Sequence, residues 1–280
     1  SLLTLRPWGR FLLEQEEYKR AADIWEQIVE LKGSSSHDLF LFAMASVQSE
    51  NWSKGQFAFT RLLNRVPAIT EDELQLMGTE RSRLYAHRGQ CLLRGGDPRA
   101  AYRDLRLALD SNPNSIYFRM LMFETLLTLN RYDEALEQEK KILNLSGQSK
   151  QVQKQLEVQV WKLCHLILNR IDKSTRARVG PESLYRLVQH RIPDTREQSI
   201  LFVETLLITN QLERAGRLIA KYQKQYPEEL QFQVLEGVSI SRRGEFDRAL
   251  AIFSEALKVA PLNVDALIHR AGLRIQNRNF

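Results

Sequence analysis

His87 and Cys91 stand one helical turn apart, a spacing at which an imidazole and a thiolate could share a metal ion. No two further ligands lie near them in sequence. Cys164 beside His165 is a poorer pair, because consecutive helical residues point in different directions. A groove histidine beside a packed thiol is therefore the expectation, with no metal and no cofactor. The adjacent acids Glu16 and Glu17, and the pair Glu134 and Glu137, read as solvated charge, since a general acid needs a shielded pocket to shift its pKa. The sequence holds no G-x-S-x-G, P-loop, H-E-x-x-H, C-x-x-C or glycine-rich dinucleotide turn, and the expectation is a protein that is not an enzyme. The stripe through His87 points to binding chemistry. Arg83, His87, Gln90 and Arg94 follow i, i+4, i+7 and i+11 and so share one helix face.

The elements that carry this stripe repeat. In LQFQVLEGVSISRRGEFDRALAIFSEALKVAP, Ala249, Phe253 and Ala256 line one face of a helix at i, i+4 and i+7. On the preceding helix Gly237 leaves room for close approach, Gly244 and Glu245 make the turn, and Pro261 stops the second helix. One unit is two antiparallel helices. A period of 34 residues gives units at 2–35, 36–69, 82–115, 116–149, 196–229 and 230–263. A degenerate unit at 162–195 makes seven, and 264–280 is a truncated copy limited to its first helix.

These residues resemble the tetratricopeptide repeat, whose pattern sets an aromatic, a small residue, glycine, a turn aromatic, alanine, an aromatic, alanine and proline at fixed positions. Several units sharing one period imply an all-α, right-handed superhelical solenoid of antiparallel helix pairs, about seven repeats plus a truncated final helix. The organisation expected is an N-terminal block at 1–149, a degenerate unit with an extended first helix at 150–195, and a C-terminal block at 196–280. Segments 70–81 and 150–161 are 12 residues each that the period does not need. Neither contains proline, so each is expected to extend the first helix of the following unit by about three turns.

The resemblance implies that first helices line an inner, concave surface. Tyr117, Leu121, Glu124 and Thr128 on one side of the Arg83 stripe, and His37, Leu41, Met44 and Gln48 on the other, then fall in register with it. Arg83, His87, Gln90, Arg94, Tyr117, Glu124 and Met44 are the candidate partner-binding groove, a mixture of polar, aromatic and thioether groups suited to peptide recognition. Chaperone-binding members use a lysine and asparagine clamp. The aligned positions here are Arg10, Met44, Gln90, Glu124, Arg170, Glu204 and Val238, without asparagine, which disfavours a chaperone tail as ligand.

Net charge is +6, concentrated in two segments. Residues 81–106 carry seven arginines against Asp97 and Asp104, and residues 162–191 carry seven lysines or arginines against Asp172 and Glu182. Arg170, Lys173, Arg176 and Arg178 form the candidate basic patch of the second. The leading expectation is a protein-protein interaction scaffold that organises an assembly. The alternatives are a binder of RNA or charged polysaccharide, and a regulatory domain of a larger enzyme or transcription factor. Nucleic acid is disfavoured because no side-chain code repeats with the period.

The segments GGDPRAAYRDLRLALDSNP and TLNRYDEALEQEKKIL are similar to bacterial arrays that precede exopolysaccharide exporters of the Pel type. That likeness implies a periplasmic location, with a cytoplasmic one as the alternative, and a polysaccharide-modifying enzyme as partner. Even SILFVETLLIT is interrupted by Glu204, so a membrane is expected to be reached only through parts outside this chain. Cys91 and Cys164 lie in different units, too far apart for a disulfide.

Overall fold

A computed structural model describes residues 1–65, 71–76, 78–169 and 181–278, in which all regular structure is α-helical. The chain divides into two compact units, Ser1–Leu156 and Glu157–Phe280. The first holds α1 (Leu2–Glu14), α2 (Tyr18–Glu30), α3 (Ser36–Gln48), α4 (Trp52–Asn64), α5 (Glu71–Leu76), α6 (Arg81–Arg94), α7 (Pro98–Ser111), α8 (Ile116–Thr128) and α9 (Tyr132–Leu145). Helix α10 (Lys150–Asn169) begins in the first unit and ends in the second. The second unit continues with α11 (Pro181–Val188), α12 (Arg196–Ile208), α13 (Leu212–Gln225), α14 (Leu230–Arg242), α15 (Phe246–Val259) and α16 (Val264–Arg278).

Consecutive helices pack on one another from α1 to α4, from α6 to α9 and from α11 to α16, and successive first helices also touch, α6 on α8, α12 on α14 and α14 on α16. The seams are built as the periodicity requires. A Cβ placed on Gly237 would stand 2.6 Å from the Phe253 ring, and one on Gly9 would stand 2.8 Å from Trp25. Only hydrogen at these two positions lets the paired helix close. Trp25, Phe59, Phe253, Ala21, Ala249 and Ala256 are fully buried at the positions the spacing assigns to them.

The hairpin turns carry the clearest record of the period. Glu16, Glu50, Gly96, Asn130, Asn210 and Gly244 all have positive φ, between 57° and 91°. After each, a backbone N–H reaches the carbonyl five residues back, as in Glu17 to Leu12 at 2.9 Å, Asp97 to Leu92 at 2.8 Å and Gln211 to Leu206 at 2.8 Å. This is the Schellman arrangement, which satisfies the free carbonyls at the end of the first helix. Residues 16 and 50, 96 and 130, and 210 and 244 lie one period apart. The longer intervals between these pairs exceed whole periods by the lengths of the two insertions. Second helices then start on side-chain caps where one is available, Asn51 accepting from the Lys54 N–H at 3.2 Å and Asp97 from that of Ala100 at 3.0 Å.

The two insertions differ in form. Segment 150–161 is continuous helix within α10, which has 20 residues against the 13 or 14 of most others. Segment 70–81 does not extend α6. It forms the separate short helix α5, whose end is closed by Gly78 at φ 63°, with the Thr79 N–H on the Leu74 carbonyl at 3.0 Å. The left-handed glycine ends the helix without any need for proline. Leu74 is buried in the first unit's core, and α4 packs directly on α6 past the insertion.

Candidate partner-binding surface

Helices α6 and α8 lie side by side and bring five of the seven candidate groove residues into contact. The Tyr117 hydroxyl on the first turn of α8 donates to Gln90 Oε1 at 3.0 Å and lies 3.4 Å from His87 Nδ1. The His87 ring stacks on Phe59 of α4, with centroids 5.5 Å apart and planes 13° from parallel. Beyond it, Arg94 grips Glu124 with both guanidinium nitrogens, Nη2 to Oε2 at 3.0 Å. Phe59 stands at the position of the period held by Phe253 and is fixed by the core, so it sets the height of His87. Tyr117 and Gln90 then hold the imidazole from the opposite side.

Electrostatics follow from this packing. Burial holds His87 below its ordinary value, aided by the nearby Arg83 and opposed by the hydrogen bond to Gln90. The ring is thus kept neutral and, with the Tyr117 proton directed to Gln90, meets the phenol oxygen at Nδ1. Burial pushes the Tyr117 hydroxyl up to about 12, so it stays a donor at any physiological pH. Arg83 is exposed and has no partner among the described residues. Tyr117 still presents 42% of its surface to solvent. Met44 on α3 is half-buried and packs against the first unit's core, with Leu41 and Tyr85.

The same repeat geometry is found elsewhere. The C-terminal part of a TPR repeat-containing protein from Cytophaga hutchinsonii is similar to this chain at a TM-score of 0.53, with 12% identity, over 94% of this chain and 98% of that one. A tetratricopeptide repeat protein from Parabacteroides merdae is similar at 0.51, with 12% identity, over 98% of each chain. A family model described as anaphase-promoting complex, cyclosome, subunit 3 matches residues 68–141. The fold is the tetratricopeptide-repeat fold. No curated protein is significantly similar in sequence.

Within this tetratricopeptide-repeat array, the charge of segment 81–106 does not form one patch on the first-helix surface. Arg88 is bound by buried Asp104 through two hydrogen bonds of 2.6 and 2.8 Å, and Arg94 is neutralised by Glu124. Arg99, Arg103 and Arg106 are exposed on α7, a second helix. Charges counted along the sequence are thus separated by the hairpin. The second basic patch, Arg170, Lys173, Arg176 and Arg178, lies outside the described residues.

Cys91 and Cys164 are buried, and burial pushes both thiols up to about 12, which leaves them without thiolate character. Cys91 fills space left by Gly55, where a Cβ would stand 2.9 Å from its sulfur. Among the described residues no group of three or more His, Cys, Asp or Glu could hold a metal ion, and no helix is long and apolar enough to cross a membrane.

Sequence reasoning missed the ion pairs that tie first helices together. Arg6 on α1 holds buried Asp38 on α3 through bonds of 2.9 and 2.6 Å, while Asp38 also closes a capping box with Ser35. These bonds hold the Asp38 carboxyl below the usual range against the opposing effect of burial. Arg94 and Glu124 form the equivalent tie between α6 and α8. Their separation of 30 residues, four short of the period, is the signal that could have paired them.

Proposed function

We propose that this chain is a protein-protein interaction scaffold and that the first-helix surface of α6 and α8 holds an extended segment of a partner. One observation carries the reading: an exposed tyrosine, a neutral histidine and an amide are locked in one hydrogen-bonded cluster beside an unpaired arginine. Groups ordered before binding lose little conformational entropy when a partner arrives. Arg83 supplies a cation for an acidic side chain, and Tyr117 supplies a rigid aromatic face. The pairing of Arg88 and Arg94 gives the polyanion reading less support.

The particular assembly we propose is a periplasmic one for bacterial exopolysaccharide secretion, with a polysaccharide-modifying enzyme as partner. The likeness of residues 95–113 and 128–143 to exporter-associated arrays supports it. Pull-down from a bacterial envelope extract with the Arg83→Glu, Tyr117→Ala double variant tests both statements. The wild-type chain is expected to recover a polysaccharide-modifying enzyme and the variant to lose it. Undiminished recovery by a variant with an unchanged helical melt rejects the surface, and recovery of other proteins through an intact surface rejects the pathway.

A further inference from the structure

The second unit carries a cleft where the second helix α13 meets α14. An open hollow of about 520 Å³ is lined by α13 and α14, with Arg243 of the following turn and Arg248 of α15 completing it. It exists because α13 is stripped of side chains there. Gly216 occupies the position held by Ala22, Gln56, Tyr102, Leu136 and Leu250 in the other units, and Ala220 follows one turn later. A Cβ on Gly216 would stand 3.0 Å from Arg243 Nη2, which lies across α13 and donates to the Leu212 carbonyl at 2.9 Å.

Two features make this more than a gap between helices. Ser239 lines the hollow, is 1% exposed, and its hydroxyl has no hydrogen-bond partner. A buried hydroxyl without a partner is costly, and native structures usually satisfy it. The rim supplies cations: Arg217 has no partner among the described residues, Arg243 keeps donors free of its single backbone bond, and Lys221 and Lys224 follow Arg217 along α13. Arg248 also lines the cleft but is paired with Glu245.

We infer that this cleft is a second binding site, distinct from the α6–α8 surface, which takes a carboxylate side chain from an acidic protein segment. The carboxylate accepts from the Ser239 hydroxyl and from the guanidinium groups of Arg217 and Arg243, while Ile219, Ala220 and Ile240 pack against its methylene stem. Glu213 and Glu236 also line the hollow. Phosphate has no methylene stem to set against Ile219, Ala220 and Ile240, which decides between the two oxyanions.

Calorimetric titration of the 280-residue chain with an acetylated hexaglutamate peptide tests the site, with hexaglutamine and inorganic phosphate as controls. Wild type is expected to bind hexaglutamate and not hexaglutamine, and phosphate is expected not to displace it at equal concentration. Arg217→Gln and Ser239→Ala are each expected to weaken binding about tenfold. Ser239→Ala removes an unsatisfied group, so it should melt no lower than wild type, and lost binding then cannot be lost folding. Arg83→Glu should bind hexaglutamate as wild type does, which separates this site from the first-helix surface. The inference is overturned by no binding to wild type, by equal binding of hexaglutamine, by displacement with phosphate, or by unchanged affinity in both cleft variants.

Discussion

Phe59 with His87 in the first unit and Phe253 with His269 in the second are the same construction twice. Each phenylalanine stands at one position of the period, and each histidine at one position of the next first helix, where Leu41, Leu121 and Leu235 stand in other units. The stacks match in geometry, 5.5 Å and 13° against 5.6 Å and 14°. Their outer sides do not. His87 is covered by Tyr117 and Gln90, whereas His269 is exposed, with Asp265 and Arg242 as its charged neighbours. The period dictates which ring lies on which. Residues off the period decide whether the ring is covered by a hydrogen-bonded cluster.

The largest effect should come from removing the shared half of the construction. Phe59→Ala and Phe253→Ala each delete a fully buried ring and should each cost about 3–5 kcal/mol, measured by denaturant unfolding. If only one is costly, the two stacks are not equivalent. A smaller effect separates the turns of the same two regions. Glu50 and Gly244 occupy the same left-handed position, so Glu50→Gly should stabilise by about 0.5–1 kcal/mol and Gly244→Ala should destabilise by about 1 kcal/mol. Thermal melts that shift in the same direction for both would contradict this equivalence.

The smallest effect concerns pH. Desolvation, by enclosure at His87 and by the ring face stacked on Phe253 at His269, holds both histidines below the ordinary 6.5, so the unfolded chain takes up the proton first. Their contribution is complete above pH 6.5 and is lost as the pH falls towards the folded-state values. His87 is the more enclosed, so His87→Leu should flatten the fall in melting temperature below pH 6.5 more than His269→Leu does. An equal flattening would mean that Tyr117 and Gln90 add nothing to the enclosure.

What could be read from the sequence follows the same division. Gly237, Ala249 and Phe253 were legible because close packing permits few residue types at those positions, and the repeated period multiplies the signal. The lack of proline in segment 70–81 suggests continuous helix, but the stop signal is Gly78. Arg83, His87, Gln90 and Arg94 share a face of α6 by their spacing, but the capture of Arg94 by Glu124 needs two helices in register and is invisible to a charge count. The Ser239 cleft draws on three helices, and its defining feature, a hydroxyl without a partner, has no sequence signature at all.

The central claim, that off-period residues on α6 and α8 turn a packing stack into a binding surface, is tested most directly by titrating the captured partner against matched variants. Arg83→Glu, Tyr117→Ala should abolish binding, and His269→Leu, at the equivalent stack of the second unit, should leave the affinity unchanged. Loss of binding in both, or retention in both, would contradict it.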